Sequence, residues 1–133
     1  MHSNIFVNLP VKSFKRSKEF FTKLGYSFNP QFSDEVSGCL ILGESLYCML
    51  LEEEKFKTFI TNDISDASKT TEVLTALNVE SREEVDRLVE LAVSLGGKEY
   101  MEPRDYGFMY TRVYSDLDNH RWEIFHMNPE YVQ

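Results

Sequence analysis

Residues 8–26 read NLPVKSFKRSKEFFTKLGY. The stretch holds the end of a strand, a capped helix and the glycine that stops it. Just upstream, Ile5, Val7, Leu9 and Val11 fall on one face at period two, while Phe6, Asn8 and Pro10 fall on the other. Ser13 has N-cap chemistry, and Phe14, Phe20, Phe21 and Leu24 recur at helical spacing. Gly25 supplies the backbone freedom that ends a helix. Three short strands are expected next, near Tyr26–Phe28, Gly38–Leu42 and Leu46–Leu51, with Gly43-Glu44-Ser45 turning the last two. Glu52 to Asn62, including the Glu52-Glu53-Glu54 run, reads as a solvated connector with a helical turn at Phe56–Ile60. Asp63–Thr70 reads as a polar loop.

The pattern then starts again. Val73, Thr75, Leu77 and Val79 make one strand face. Ser81 caps a helix running to about Leu95, with Glu84 placed as a capping box requires, and Gly96-Gly97 ends it. Strands follow near Lys98–Met101, Phe108–Ser115 and Arg121–Met127. The halves can be laid over each other: Val11-Lys12-Ser13 on Val79-Glu80-Ser81, Leu24-Gly25 on Leu95-Gly96, Asn29-Pro30 on Glu102-Pro103, Gly38 on Gly107. The expected fold is α+β: two βαβββ modules forming a cupped mixed sheet with the helices on its outer face. We expect a single domain, 1–133, with module 1 at about 1–60, a linker at about 61–70 and module 2 at about 71–133.

Composition narrows the function. The 133 residues carry 42% apolar and 14% aromatic side chains, enough for a core without staples. A net charge of −8 repels phosphate, which argues against nucleic acid and anionic membranes as partners. No apolar run is long enough to span a bilayer, and MHSNIFVNLPVK does not read as a signal peptide, so a cytoplasmic location is expected. Cys39 and Cys48 then read as reduced thiols filling core space.

Two stretches carry a family resemblance: NLPVKSFKRSKEFFTKLGY near the start and DLDNHRWEIF at 116–125. In this order, within a duplication, they resemble the vicinal oxygen chelate superfamily, which includes glyoxalase I, extradiol dioxygenases, fosfomycin-resistance enzymes and bleomycin-binding proteins. The resemblance implies a divalent metal held by inward His and Glu side chains, one from the first and one from the last strand of each module. It places Glu123 at the final ligand position. The first-strand positions fall on Phe6 and Leu74, and the remaining one on Cys48 or Met49. His2, His120 and His126 lie off all of them. Glu123 and Cys48 would be the only remnants, a poor divalent site, so no metal cofactor is expected.

A substitute for the metal can be sought on the last hairpin. If Asp116–Asn119 is a four-residue turn, Ser115 pairs with His120, Arg112 with Glu123 and Tyr110 with Phe125. Arg112 would then neutralise Glu123 inside the cup, with Phe6, Asn8, Leu74, Phe108, Tyr110 and Phe125 around them as ligand-binding residues. Asp105-Tyr106-Gly107 reads as a turn, and Trp122 and Ile124 as core. The expected function is binding of a small, partly apolar molecule without a full metal site, with Glu123 the one candidate catalytic group. The alternative is a metal-dependent lyase or dioxygenase with atypical ligands. The resemblance also implies a homodimer.

Overall fold

Helix α1 (Phe14–Lys23) begins where two acceptors meet its orphan N–H groups. Ser13 Oγ accepts from Arg16 N at 3.2 Å, and Glu52 Oε2, at the end of strand β4 (Leu46–Glu52), accepts from Phe14 N at 2.9 Å. The helix ends in a Schellman turn. Tyr26 N–H reaches Phe21 O at 3.1 Å, Gly25 N–H reaches Thr22 O at 3.0 Å, and Gly25 takes φ 110°. Helix α3 (Arg82–Ser94) repeats both devices. Ser81 Oγ accepts from Glu84 N, Gly97 N–H reaches Ala92 O, Gly96 N–H reaches Val93 O, and Gly96 takes φ 109°. The sequence duplication is thus reproduced in the hydrogen bonds of the caps.

The structure is a computed structural model and describes residues 1–131; the expected end of module 2, residues 132–133, lies outside the described residues. The chain divides into two units, Met1–Asp66 and Ala67–Gln133, parting inside the expected linker. Unit 1 contains β1 (Ile5–Val11), β2 (Ser27–Asn29), β3 (Ser37–Gly43) and β4, in the order β1-β4-β3-β2. β1 runs parallel to β4, and the other pairs are antiparallel. Unit 2 contains β5 (Leu74–Asn78), β6 (Arg104–Asp105), β7 (Met109–Ser115) and β8 (Arg121–Met127), in the order β5-β8-β7-β6. Again the first and last strands are parallel and the others antiparallel. A short helix α2 (Glu53–Phe56) and a 3-10 turn at Lys57–Phe59 follow β4, earlier than the turn expected at Phe56–Ile60. The strand expected near Lys98–Met101 reduces to a single bridge from Lys98 to Ser115.

Each helix covers one face of its own sheet. In unit 1 the buried layer is Val11, Phe14, Phe20, Phe21, Leu40, Cys48 and Leu50. Phe14 packs so closely on β3 that a Cβ at Gly38 would run into its ring, which is why glycine stands there. In unit 2 the layer is Val85, Leu88, Val89, Ala92, Tyr114, Trp122 and Ile124. The other face of each sheet has no helix of its own unit on it.

Candidate functional site

The β7–β8 hairpin corrects the expected register. Asp116 N–H donates to His120 O at 3.0 Å and Asn119 N–H to Asp116 O at 3.0 Å, with Asn119 in the left-handed region at φ 67°. The loop therefore includes His120, and pairing resumes at Ser115–Arg121. Val113 sits opposite Glu123, Arg112 opposite Ile124, Thr111 opposite Phe125 and Tyr110 opposite His126. Because side chains alternate, a shift of one residue exchanges the two faces of β7.

Arg112 and Tyr110 consequently lie on the α3 side, away from Glu123. Arg112 donates from Nε and Nη2 to both oxygens of Glu99 at 2.9 Å, and from Nη1 to Asp86 at 2.8 Å and Glu90 at 3.1 Å. The Tyr110 hydroxyl donates to Asp86 at 2.6 Å. The Glu99 hydrogen bonds, followed by those from Asp86 and Glu90, hold the guanidinium protonated even more firmly than usual against the cost of burial. The hydrogen bond from Tyr110, then that from Arg112, keeps the Asp86 carboxyl below its ordinary value. This cluster ties α3 to its sheet. Phe108 also leaves the expected site. It lines a cavity of about 330 Å³ at the start of α3, with Ser81, Arg82, His126 and Asn128. The Arg82 guanidinium there is held by both Asp105 oxygens, at 2.7 and 2.9 Å, and this pairing takes the Asp105 carboxyl down to about 2.

The helix-free face of unit 2 is built in three rows by its register: Leu74, Arg121 and Ser115; Ala76, Glu123 and Val113; Asn78, Phe125 and Thr111. Glu123 therefore shares its face with Arg121, two residues earlier on the same strand. The Arg121 guanidinium lies over the Tyr100 ring, 4.0 Å from its centroid. Burial pushes the Tyr100 phenol up, with the Arg121 charge lowering it and the Glu123 charge raising it, so the hydroxyl feels both. Among the described residues no carboxylate makes a salt bridge with Arg121, and no cation makes one with Glu123. Arg121 Nε and Thr111 Oγ1 are buried with no hydrogen-bond partner. The cation sought at Arg112 is thus present on this face at Arg121, which period two from Glu123 could have revealed in the sequence.

Unit 1 carries an apolar counterpart of the same face. Its rows are Phe6, Tyr47 and Ile41; Asn8, Met49 and Cys39; Pro10, Leu51 and Ser37. Phe6 stacks on Tyr47 at 4.7 Å between ring centroids. The choice between Cys48 and Met49 is decided by face. Met49 pairs with Asn8 as Glu123 pairs with Ala76, whereas Cys48 is 1% exposed on the helix side. The positions that the resemblance assigns to metal ligands are thus Phe6 and Met49 in unit 1 and Leu74 and Glu123 in unit 2. One carboxylate and one thioether do not suit a zinc, nickel, iron or manganese dication. No group of three or more His, Cys, Asp or Glu could hold a metal among the described residues. His126 lies on the helix side with Nδ1 3.1 Å from Val79 O, and a carbonyl partner requires that nitrogen to carry the proton. The residues present do not fit the metal that the fold implies.

Two repeated βαβββ units, each a mixed sheet with one helix across it, define the glyoxalase-like fold. The chain has the fold of solved glyoxalase/bleomycin resistance protein/dioxygenase proteins. It is similar to the hypothetical protein SA1046 from S. aureus at a TM-score of 0.80 and 27% identity, over 95% of both chains. A glyoxalase/bleomycin resistance protein/dioxygenase family enzyme from Burkholderia phytofirmans PsJN matches at a TM-score of 0.76 and 16% identity, over 92% of this chain and 96% of the other. The fosfomycin resistance protein FosX from Listeria monocytogenes matches at 0.68 and 18%, over 98% and 97%. No family model and no curated protein matches the sequence. No helix of the described residues is long and apolar enough to cross a membrane.

Proposed function

We propose that this protein binds a small, partly apolar molecule on the helix-free face of its second unit and does so without a divalent metal. One observation carries this reading. Glu123 and Arg121 stand on one sheet face with no salt-bridge partner among the described residues, beside Leu74, Val113, Phe125 and Tyr100. Charged groups left unpaired beside apolar side chains are poorly placed for stability and well placed for recognition. Similarity to the Burkholderia and Listeria proteins supports the scaffold and leaves the ligand open. The competing reading is a metal-dependent lyase or dioxygenase with atypical ligands. It needs donors that Phe6, Met49 and Leu74 do not offer.

Elemental analysis of the purified chain, joined to a fragment screen by amide NMR, tests the choice. The expected result is far less than one equivalent of zinc, nickel, iron or manganese, with neutral aromatic fragments shifting amides of Leu74, Glu123 and Phe125. Near-stoichiometric metal that Glu123→Gln removes would favour the enzyme reading. Fragments that shift only residues around α3 would move the site to the cavity beside Phe108 and His126.

A further inference from the structure

Arg121 differs from Arg82, Arg87 and Arg112 of unit 2 in its charged partners. Arg82 is closed by Asp105, Arg87 by Glu84, and Arg112 by Asp86, Glu90 and Glu99. Arg121 has no carboxylate at salt-bridge distance among the described residues, although the chain carries a net charge of −8. Its guanidinium lies over the Tyr100 ring, 4.0 Å from the centroid, and its Nε–H is buried with no hydrogen-bond partner. Buried donors are nearly always satisfied, so an empty Nε calls for an acceptor from outside the chain. Thr111 Oγ1, on the same face, is a second buried polar atom in the same condition.

Resting on the reading above, we propose that Arg121 anchors the carboxylate of a small apolar acid and that Glu123 takes a hydroxyl or ammonium donor on the same molecule. The planar guanidinium edge matches a carboxylate in a two-point contact. Along an extended strand, residues two apart are separated by about 6.6–6.8 Å, so the two side chains can converge on one small bifunctional ligand. Leu74, Val113 and Phe125 supply apolar surface for the remainder. Charge selects the carboxylate over a phosphate. A single guanidinium balances one negative charge, whereas a dianion would meet uncompensated repulsion from Glu123. The proposal gives the face a polarity, anion at the Arg121 row and donor at the Glu123 row.

The test titrates the full-length, nitrogen-15-labelled protein with 3-phenyllactate, its methyl ester, 3-phenylpropionate and phenylphosphonate. The Arg121 Nε–H resonance and the amides of β8 are followed. Phenyllactate should shift the Arg121 Nε–H signal and bind about tenfold or more tightly than its ester. Arg121→Met should remove that preference. Arg121→Lys, which keeps the charge and most of the stem, should retain part of it and guards against a mere folding defect. Glu123→Gln should weaken phenyllactate more than phenylpropionate, which lacks the hydroxyl. Equal binding of acid and ester, a preference for the phosphonate, or carboxylate binding that leaves the Arg121 signal unmoved would each overturn the proposal. If neutral fragments still bind this face in those cases, the broader functional reading stands while the carboxylate assignment falls. If neither acids nor neutral fragments bind at millimolar concentration, both fall.

Discussion

Replacing Asp116 by alanine is expected to lower stability by about 3 kcal/mol, among the largest losses for a single polar residue here. Asp116 is 6% exposed, and its carboxylate organises the whole hairpin loop. Oδ1 accepts from Asp118 N at 2.9 Å and from His120 N at 3.0 Å, while Oδ2 accepts from the Trp122 indole at 2.9 Å. Burial pushes the carboxyl up, against the His120 charge, the indole and the two amides, which pull it down. Alanine would strand all three donors. Water can reach the two loop amides, since Asp118 and His120 are half-buried, but Trp122 is 1% exposed and its N–H would have nowhere to turn. Asp116→Asn should cost less, about 1–2 kcal/mol. Its carbonyl oxygen still serves the two amides, and only the indole meets a donor instead of an acceptor. Trp122 is the single tryptophan, so its emission reports both unfolding in denaturant and any native-state wetting of the indole. Equal stability of the alanine variant and the parent protein would show that the loop does not depend on this carboxylate.

That loop also marks where the sequence stopped being readable. The caps were legible because they are local. Ser13, Ser81, Gly25 and Gly96 act within a few residues of themselves, and their spacing announces them. The strand faces of β1 and β5 were legible from period two, and the repeat followed from both. The β7–β8 register was not, because it depends on whether Asn119 adopts the left-handed conformation that admits a fifth residue to the loop. A clue lay in packing: Tyr114 stands opposite Trp122 in the observed register, so two large side chains, 0% and 1% exposed, share the helix face. The expected register would have put Tyr114 opposite Arg121 and on the face away from Trp122. Glu52 was hidden for another reason. Inside an acidic run it reads as solvated, yet its carboxylate reaches back to the first turn of α1, a long-range contact that local spacing does not announce.

The same shift of register moves Arg112 from a ligand-facing role to a structural one, and its replacement tests the difference. Arg112→Met keeps an apolar stem but leaves Asp86, Glu90 and Glu99 facing one another without a cation. Breaking a fully buried ion pair typically costs about 3–5 kcal/mol. Here the arginine side chain is 11% exposed but Asp86 and Glu90 are 44% and 69% exposed, so water screens much of the repulsion. A loss of about 2–3 kcal/mol is expected, most of it at Glu99, whose side chain is 24% exposed. Arg112→Met combined with Glu99→Leu should recover part of the loss, because the most buried uncompensated charge is then gone. Acid gives an independent check. Tyr110 first and then Arg112 hold the Asp86 carboxyl below its ordinary value, so its contribution is full above the unfolded pKa of about 3.9 and is lost as pH falls through the lower folded value. Without Arg112 that contribution shrinks, and protonation instead relieves repulsion among the three acids. The stability gap between Arg112→Met and the parent protein should therefore narrow as pH falls from 7 towards about 4 and below. A gap that stays constant across that range would mean the guanidinium acts by packing alone. Binding on the opposite sheet face should survive Arg112→Met and fail in Arg121→Met. Loss of binding in both would return Arg112 to the site from which the register removes it.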